Sequence, residues 1–301
     1  MDEEIHAFDE PQQLRSLNRW REPTFRDVQY AVVEGYRPLL MDITVPDNVS
    51  GPVPVVVCIH GGGWVAGSHK PTPDAYIGYP LIWEAILSQG LAVASIQYRL
   101  AREQSFPAQL HDAKAAVRWL RRFGGEVGLD PTRIGAWGDS AGGHIASLLA
   151  MNTTDPVLEG ENGVIGVPST VMSAVAWFPP TELSSMQSQM LPGATARHDV
   201  PDSPASILLG GIPSDDSELA AFGSPTSYVS GAAAPVLLVH GDADMLVPHA
   251  QSEALRDALQ SVGGDIRLVT VPGEDHGFTG ADLLPIAELT AEELARRLRV
   301  G

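Results

Sequence analysis

Short apolar runs rich in β-branched residues alternate with longer helical patterns along this chain, and this alternation restricts its fold more than any other feature. Their length and spacing are typical of strands in a parallel sheet whose two faces are both covered by helices. Two further runs on either side of a turn at 34–38 predict antiparallel edge strands, at 27–33 and 39–45. The other predicted strands are 53–59, 91–96, 133–137, 171–178, 235–239 and 266–271. The expected fold class is therefore α/β, with a mostly parallel central sheet and helices on both faces.

Two helical segments have sequence features that bear on their packing. Apolar residues at three- or four-residue spacing follow Pro107, which suits the first turn of a helix that packs on the sheet. The segment after Ser140 has alanine or glycine at 141, 142, 143, 146 and 150, so a helix there can approach the sheet closely. We expect it to be the central helix.

Residues 181–230 interrupt the alternation. They are rich in Ser, Pro, Gly and Asp, and they are too numerous for an ordinary loop in a compact domain. We interpret them as a small cap or lid, with residues 1–40 as a second cap element, on a single α/β domain that spans 1–301. The alternative is a partly ordered insertion with no role in substrate choice.

The charge balance restricts the partners and the location. The chain has 37 acidic residues against 19 lysines and arginines, so nucleic acid and anionic membrane surfaces would be repelled. The first residues are acidic, and no run of about 18 apolar residues occurs, so we expect a cytoplasmic protein without a membrane span. The one cysteine, Cys58, lies in an apolar run, which predicts a buried and inert thiol.

A glycine-flanked serine follows the predicted strand 133–137 and precedes a helix, where residues 138–142 read GDSAG. This is the context that a nucleophile elbow requires, because small neighbours relieve a strained turn that exposes the Ser140 hydroxyl. The pentapeptide alone is a weak signal, since a Gly-rich turn that packs a helix against a strand gives the same pattern. Ser140 is therefore a candidate nucleophile that needs partners.

A second glycine-rich segment follows the predicted strand 53–59, where residues 60–64 read HGGGW. Glycines there let backbone amides turn inward without a Cβ in the way. Together with the Ala141 amide, the amides of Gly62 and Gly63 can donate to the oxyanion of a tetrahedral intermediate. A phosphate-binding loop is the alternative, but the lysine expected after such a glycine run is absent.

The other members of a serine-based triad follow in order along the chain. One strand end has Asp242 and Asp244, and the loop after the last predicted strand has His276 with glycines nearby on both sides. A serine hydroxyl needs an imidazole to take its proton, and the imidazole needs a buried carboxylate to hold one tautomer. Spacing alone leaves Asp242 and Asp244 open and does not exclude Asp275. No two histidines fall at ligand spacing with a carboxylate on one helix, so we expect no metal site.

Taken together, these segments resemble the hormone-sensitive-lipase-like carboxylesterases of the α/β-hydrolase superfamily, and more closely the bacterial feruloyl and acetyl-xylan esterase branch. The resemblance runs from about residue 53 to residue 278. Its motifs are HGGGW at 60–64, QYRL at 97–100, FPAQ at 106–109, GDSAGGH at 138–144, HGDADMLVP at 240–248 and HGF at 276–278.

The resemblance implies an α/β-hydrolase fold and a choice among the aspartates. Asp244 would be the acid beside Ser140 and His276, and the three amides named above would form the oxyanion hole. It also implies an acyl-enzyme mechanism without a cofactor. Trp64, next to the oxyanion glycines, and Asp139, next to the nucleophile, are the expected substrate contacts.

The predicted function is a serine carboxylic-ester hydrolase for small or medium acyl esters, with acetyl and feruloyl esters among the candidates. The alternatives are an amidase or formamidase of the same fold and a tailoring esterase of secondary metabolism. A non-enzymatic receptor is disfavoured, because relatives resembling gibberellin receptors have lost the histidine that is present here as His276. The expected partners are a small-molecule ester and, as a candidate assembly, a second copy of the chain; nucleic acid and membrane are not expected.

Overall fold

The computed structural model describes residues 21–47, 49–70 and 78–299, which contain one eight-stranded sheet. Its strands are β1 (Phe25–Ala31), β2 (Leu39–Thr44), β3 (Val53–Ile59), β4 (Ala92–Ile96), β5 (Leu129–Asp139), β6 (Ala174–Trp177), β7 (Val236–Gly241) and β8 (Ile266–Val271). Their order in the sheet is β1-β2-β4-β3-β5-β6-β7-β8. β2 is antiparallel to both of its neighbours, β1 and β4, and all the other pairs are parallel. The predicted mixed, mostly parallel sheet is confirmed.

Helices cover both faces of this sheet. They are α1 (Tyr79–Ser88), α2 (Ala108–Phe123), α3 (Ala141–Ala150), α4 (Pro156–Glu159), α5 (Pro204–Leu209), α6 (Ser217–Gly223), α7 (Ala250–Ser261) and α8 (Leu283–Arg299). Apolar side chains of α2, α3 and α7 join one core cluster, and those of α1 and α8 join the other. In the part of the chain that the structure describes, no helix is long and apolar enough to cross a membrane.

The central strand β3 shows why its sequence is apolar at every position. Val55 and Val57 point to the face covered by α2 and α3, whereas Val56 and Cys58 point to the face covered by α1 and α8. Because successive side chains of a strand point to opposite faces, a strand covered on both sides needs no polar position. The predicted burial of Cys58 is confirmed, and this burial raises the pKa of its thiol, which disfavours the thiolate.

Helix α3 lies close against the sheet, as its small side chains predict. A Cβ added to Gly142 would collide with the backbone oxygen of Ile59, and one added to Gly143 would lie 2.8 Å from the carbonyl oxygen of Trp177. Larger side chains at these two positions would push α3 away from the sheet. The N-terminus of α3 is therefore held directly against the ends of the central strands.

Residues 181–230 form an ordered layer that contains α5, α6 and a 3₁₀ turn at Pro225–Tyr228. Leu183 and Leu208 are buried in the core cluster below it. The side-chain oxygen of Gln251, in α7, accepts the amides of Thr181 and Glu182, each at 2.8 Å. The segment is thus tied to the domain at its start and through its apolar side chains, unlike a long structureless loop.

The predicted second cap element, 1–40, is described by the structure only in part. Residues 1–20 lie outside the described residues. Phe25–Ala31 is an edge strand of the sheet, and its last two residues, Tyr30 and Ala31, are 2% and 4% exposed. Because these side chains are buried against the core, residues 25–31 belong to the sheet, as the predicted strand at 27–33 indicated, and a cap role for residues 1–40 stays a prediction.

Candidate active site

Ser140 lies at the junction between β5 and α3 in a strained backbone conformation. Its φ and ψ are 52° and −117°, a combination that non-glycine residues rarely adopt. Its amide donates to the carbonyl oxygen of Trp177 at 2.8 Å, and a Cβ added to Gly138 would collide with Gly142. The glycines on either side therefore permit a turn that holds the Ser140 side chain at the carboxyl end of the sheet.

His276 lies in the loop after β8 and reaches Ser140 across the end of the sheet. Its Nε2 is 3.1 Å from Ser140 Oγ, and its Nδ1 is 2.7 Å from Asp244 Oδ2. The ring of Phe178 packs against the imidazole with the ring centres 4.4 Å apart. The structure thus brings the three residues singled out from the sequence into one hydrogen-bonded line.

Asp244 is fully buried, and both of its carboxylate oxygens are engaged. Oδ1 accepts the amides of Leu246 and Val247 at 2.8 Å each, and Oδ2 faces His276 and, at 3.2 Å, Nε2 of His240. Burial by itself would raise the pKa of Asp244, but the hydrogen bonds from His240 and His276 outweigh it and hold that pKa well below its usual range. The carboxylate is therefore ionised throughout the neutral range.

The two alternative aspartates hold backbone amides instead of the imidazole. Asp242 Oδ1 accepts the amide of Gly273 at 2.6 Å. Asp275 Oδ1 accepts the amides of Met245 and His276, each at 2.7 Å. Both carboxylates order the loops that present Asp244 and His276, and neither occupies the position at Nδ1.

The glycine loop after β3 presents free amides next to the serine. Gly62 and Gly63 have positive φ angles of 104° and 58°, which glycine adopts without a Cβ clash. The Gly62 carbonyl faces away, where it accepts the amides of Val65 and Ala66 at 3.1 Å each. Within the described residues, the amides of Gly62, Gly63 and Ala141 have no protein acceptor. These are the donors predicted for an oxyanion.

Asp139 precedes the serine and is fully buried. Its Oδ1 accepts the Gly61 amide at 3.1 Å and the Tyr79 hydroxyl at 2.8 Å, so it ties the glycine loop to the end of β5. Burial raises the pKa of this carboxyl to about 6. The predicted substrate contact does not fit this position, because the side chain is sealed from solvent and braces the loop.

Trp64 is likewise 2% exposed rather than open to a ligand. Its indole Nε1 donates to Nδ1 of His144 at 3.2 Å, and its backbone has a positive φ of 59°. Sequence reasoning expected a substrate contact from its position beside the glycines. The burial of the ring makes it an anchor for the glycine loop instead.

Two further polar features were missed or left open by the sequence. The Tyr79 hydroxyl contacts Asp139 from α1, 60 positions earlier in the chain, and no local motif marks it. Arg99 and Asp112, whose pairing no local motif marks, form a buried bidentate pair with contacts of 2.7 to 3.1 Å. The pair joins the segment after β4 to α2.

One His–carboxylate group within the described residues has metal-ligand spacing, and it lies away from Ser140. It consists of Asp27, Asp42 and His69 at the β1–β2 edge. The Asp27 carboxylate is 2.7 Å from the Lys70 ammonium, and His69 Nε2 is 3.0 Å from Asp27 Oδ1. The group is accounted for by an ion pair and hydrogen bonds.

Comparison with known proteins finds one matching family and several similar esterases. The BD-FAE family model matches residues 41–259. Carboxylesterase NlhH of Mycobacterium tuberculosis is 31% identical over 85% of this chain and 78% of that protein. Esterase LipQ of the same organism is 31% identical over 84% of this chain, which spans only 56% of the length of LipQ.

Solved esterase structures share the fold. A truncated carbohydrate esterase from gut microbiota superposes with a TM-score of 0.76 at 28% identity, covering 90% of this chain and 96% of that one. Propionate-bound esterase Est2 of Thermogutta terrifontis gives a TM-score of 0.70 at 27% identity, covering 90% and 93%.

Proposed function

Because this chain belongs to the BD-FAE family of α/β-hydrolase carboxylesterases, we propose that it is a serine esterase that works through an acyl-enzyme, with Ser140 as nucleophile, His276 as base and Asp244 as acid. The observation that carries the proposal is the hydrogen-bonded line from Ser140 Oγ through His276 to Asp244, with contacts of 3.1 and 2.7 Å. A hydroxyl, an imidazole and an ionised carboxylate in this order are the parts that nucleophilic acyl transfer needs.

Acylation follows from this geometry. Ser140 Oγ attacks the ester carbonyl carbon while His276 Nε2 takes the hydroxyl proton, and the negative charge moves to the carbonyl oxygen. The amides of Gly62, Gly63 and Ala141 donate to that oxyanion. Each such donor contributes about 3 kcal/mol to lowering the barrier, because it is already oriented before the charge develops.

Collapse of the intermediate releases the alcohol and regenerates the base. The C–O bond of the ester breaks, and the proton on His276 Nε2 passes to the departing alkoxide. Water then attacks the acyl-enzyme carbonyl while His276 takes its proton, the bond from the acyl carbon to Ser140 Oγ breaks, and the proton passes from His276 to Oγ as the carboxylic acid is released. Throughout, Asp244 stabilises the imidazolium through its 2.7 Å contact with Nδ1.

We also propose that the chain is a single domain, and that its cap, residues 181–230, sets the substrate preference. Pro204, the first residue of α5, lies against the glycine loop, since a Cβ added to Gly63 would be 3.1 Å from Pro204 Cβ. Its side chain is exposed. A cap residue this close to the oxyanion amides limits the room for bulky groups, which favours small or medium acyl chains, with acetyl and feruloyl esters as candidates. Est2 of T. terrifontis has been crystallised with propionate and with butyrate, which supports a short acyl group.

The proposal is tested by hydrolysis of p-nitrophenyl esters from acetate to decanoate, with a formyl anilide in parallel. We expect turnover that is highest for short chains and is abolished in Ser140→Ala. Ser147→Ala, in the same helix but with its hydroxyl bonded to the Gly143 carbonyl at 2.8 Å, is the matched control and should stay active. Ester turnover that survives in Ser140→Ala would refute the proposed nucleophile, and cleavage of the anilide alone would refute the esterase.

A further inference from the structure

His144 connects three parts of the molecule that the reaction scheme treats separately. It lies in α3 one turn after Ser140, and its amide donates to the Ser140 carbonyl at 2.9 Å. Its Nδ1 accepts the indole N–H of Trp64 at 3.2 Å, and its Nε2 lies 2.7 Å from the carbonyl oxygen of Gly223 at the end of α6. The nucleophile helix, the glycine loop and the cap therefore meet at one imidazole.

The chemistry of the two partners explains why a histidine stands there. An indole N–H can only donate, and a backbone carbonyl can only accept. A group between them must accept on one side and donate on the other, which a neutral imidazole with its proton on Nε2 does. Full burial lowers the pKa of His144 to about 4, so the neutral form is kept at neutral pH.

Each end of this connection is fixed by its own surroundings. On the cap side, a Cβ added to Gly223 would lie 2.6 Å from Leu209, so the end of α6 packs closely against α5. On the loop side, Trp64 holds a positive φ of 59°, which a tryptophan keeps only when its surroundings restrain it. Its indole bond to His144 and the Ala101 amide on its carbonyl, at 2.8 Å, supply restraints next to Gly63.

A second contact between cap and core runs beside the imidazole. The Phe106 amide donates to the Leu208 carbonyl at 2.8 Å, and the Phe106 ring packs on both His144 and Phe222. The Phe106 and Trp64 rings both contact the imidazole edge to face, and these contacts restrict its orientation. The orientation of the imidazole, and with it the hydrogen bond to Trp64, therefore depends on the position of the cap.

We infer that His144 is a positioning residue that couples the cap to the glycine loop. Its neutral imidazole transmits the position of the Gly223 carbonyl to Trp64, and Trp64 keeps the Gly62 and Gly63 amides aimed at the oxyanion. The inference rests on the proposed esterase function. It assigns to the cap a part in the rate of the chemical step, in addition to any part in substrate choice.

The test breaks the connection at two places. His144→Phe keeps a ring between Phe106 and the cap but removes both side-chain hydrogen bonds, and Trp64→Phe removes the indole donor together with one ring of the side chain. His111→Phe and Trp119→Phe, both in α2, are the matched controls, because His111 also bonds a carbonyl, that of Val157 at 2.8 Å. Each protein is assayed on p-nitrophenyl acetate across pH 5 to 9 and titrated with a boronic acid transition-state analogue.

We expect kcat to fall about 10- to 100-fold in His144→Phe and in Trp64→Phe, with KM nearly unchanged, because misaligned donors weaken transition-state binding. Boronic acid affinity should fall by a similar factor, and the shape of the pH profile should stay the same. The kcat of the double variant should be no lower than that of the more impaired single variant. Losses that multiply, losses confined to KM, or variants as active as their controls would overturn the inference.

A spectroscopic readout separates this inference from the proposed function. The Trp64 indole N–H resonance, assigned by its disappearance in Trp64→Phe, should be protected from exchange with water in the wild type and lose protection in His144→Phe. Fast exchange in the wild type would overturn the coupling even in an active esterase. A protected signal in a protein that cleaves no ester would refute the proposed function, and with it the catalytic role of the hydrogen bond between Trp64 and His144.

Discussion

Asp244 offers the sharpest test at the scale of single residues, because an amide at this position would reverse the hydrogen bonding of His276. In Asp244→Asn, the oxygen would keep the amides of Leu246 and Val247, so the NH2 group would face Nδ1. The imidazole would then carry its proton on Nε2, and this nitrogen could not accept the Ser140 proton. We expect kcat to fall about 10⁴-fold.

The matched control for this prediction is Asp242→Asn. Its oxygen can still accept the Gly273 amide, so we expect less than about a threefold change in kcat. Steady-state kinetics on one short ester measure both. Equal losses in the two variants would contradict the assignment of the acid.

Asp139 predicts a pH dependence of stability with a defined sign. Burial raises its folded-state pKa from 3.8 to about 6, so between these values the folded state binds more protons than the unfolded state. Stability from this group is therefore present below pH 3.8 and is lost as the pH rises to about 6. A difference of about two between the pKa values corresponds to about 3 kcal/mol.

Asp139→Asn removes the titration but keeps an oxygen for Gly61 and Tyr79. Relative to the wild type, the free energy of unfolding of the variant should rise by up to about 3 kcal/mol between pH 4 and pH 7. Urea unfolding at several pH values measures this. Parallel pH curves for the two proteins would show that Asp139 does not titrate in this range.

At the scale of elements, the attachment of the cap to α7 depends on one buried side chain. Gln251→Ala would leave the buried amide of Thr181 and that of Glu182 without the oxygen they share at 2.8 Å. Unsatisfied buried donors cost about 1 to 3 kcal/mol each, so we expect the free energy of unfolding to fall by about 3 kcal/mol. Gln260→Ala, exposed on the same helix, should change it by less than about 0.5 kcal/mol. A similar loss in both variants would contradict the role of the Gln251 side chain in attaching residues 181–230.

The sequence predicts elements well where one pattern dominates and poorly where contacts override it. The predicted strands 53–59 and 266–271 match β3 and β8 at both ends, because apolar runs bounded by turns define them. β5 instead begins at Leu129, four residues before its predicted start. Asp130 and Pro131 lie within the strand, and Leu129 pairs with Val53 of β3, a contact between distant parts of the chain that the local pattern does not show.

At the scale of the whole molecule, local sequence motifs mark the reacting groups but not the groups that hold them in place. Ser140 and the glycine loop have local motifs, because a sharp turn needs small residues at fixed offsets. Tyr79 and the two partners of His144 come from elements distant in sequence, and only folding brings them together. Burial of Trp64 and Asp139 likewise depends on packing, which local spacing does not encode.

The charge of the whole chain predicts how its stability responds to salt. Lys114 and Arg118 already pair with one carboxylate, Glu159, and the chain has 37 acidic residues for only 19 lysines and arginines. The surplus carboxylates repel one another in the compact state, and screening weakens that repulsion as the Debye length falls from about 30 Å at 0.01 M to about 8 Å at 0.15 M salt. We expect the Tm to rise by a few degrees over this range, in sodium chloride and in tetramethylammonium chloride alike, because screening depends on ionic strength. A rise in sodium chloride alone would indicate specific cation binding, and a fall in both salts would show that attractive ion pairs outweigh the net repulsion.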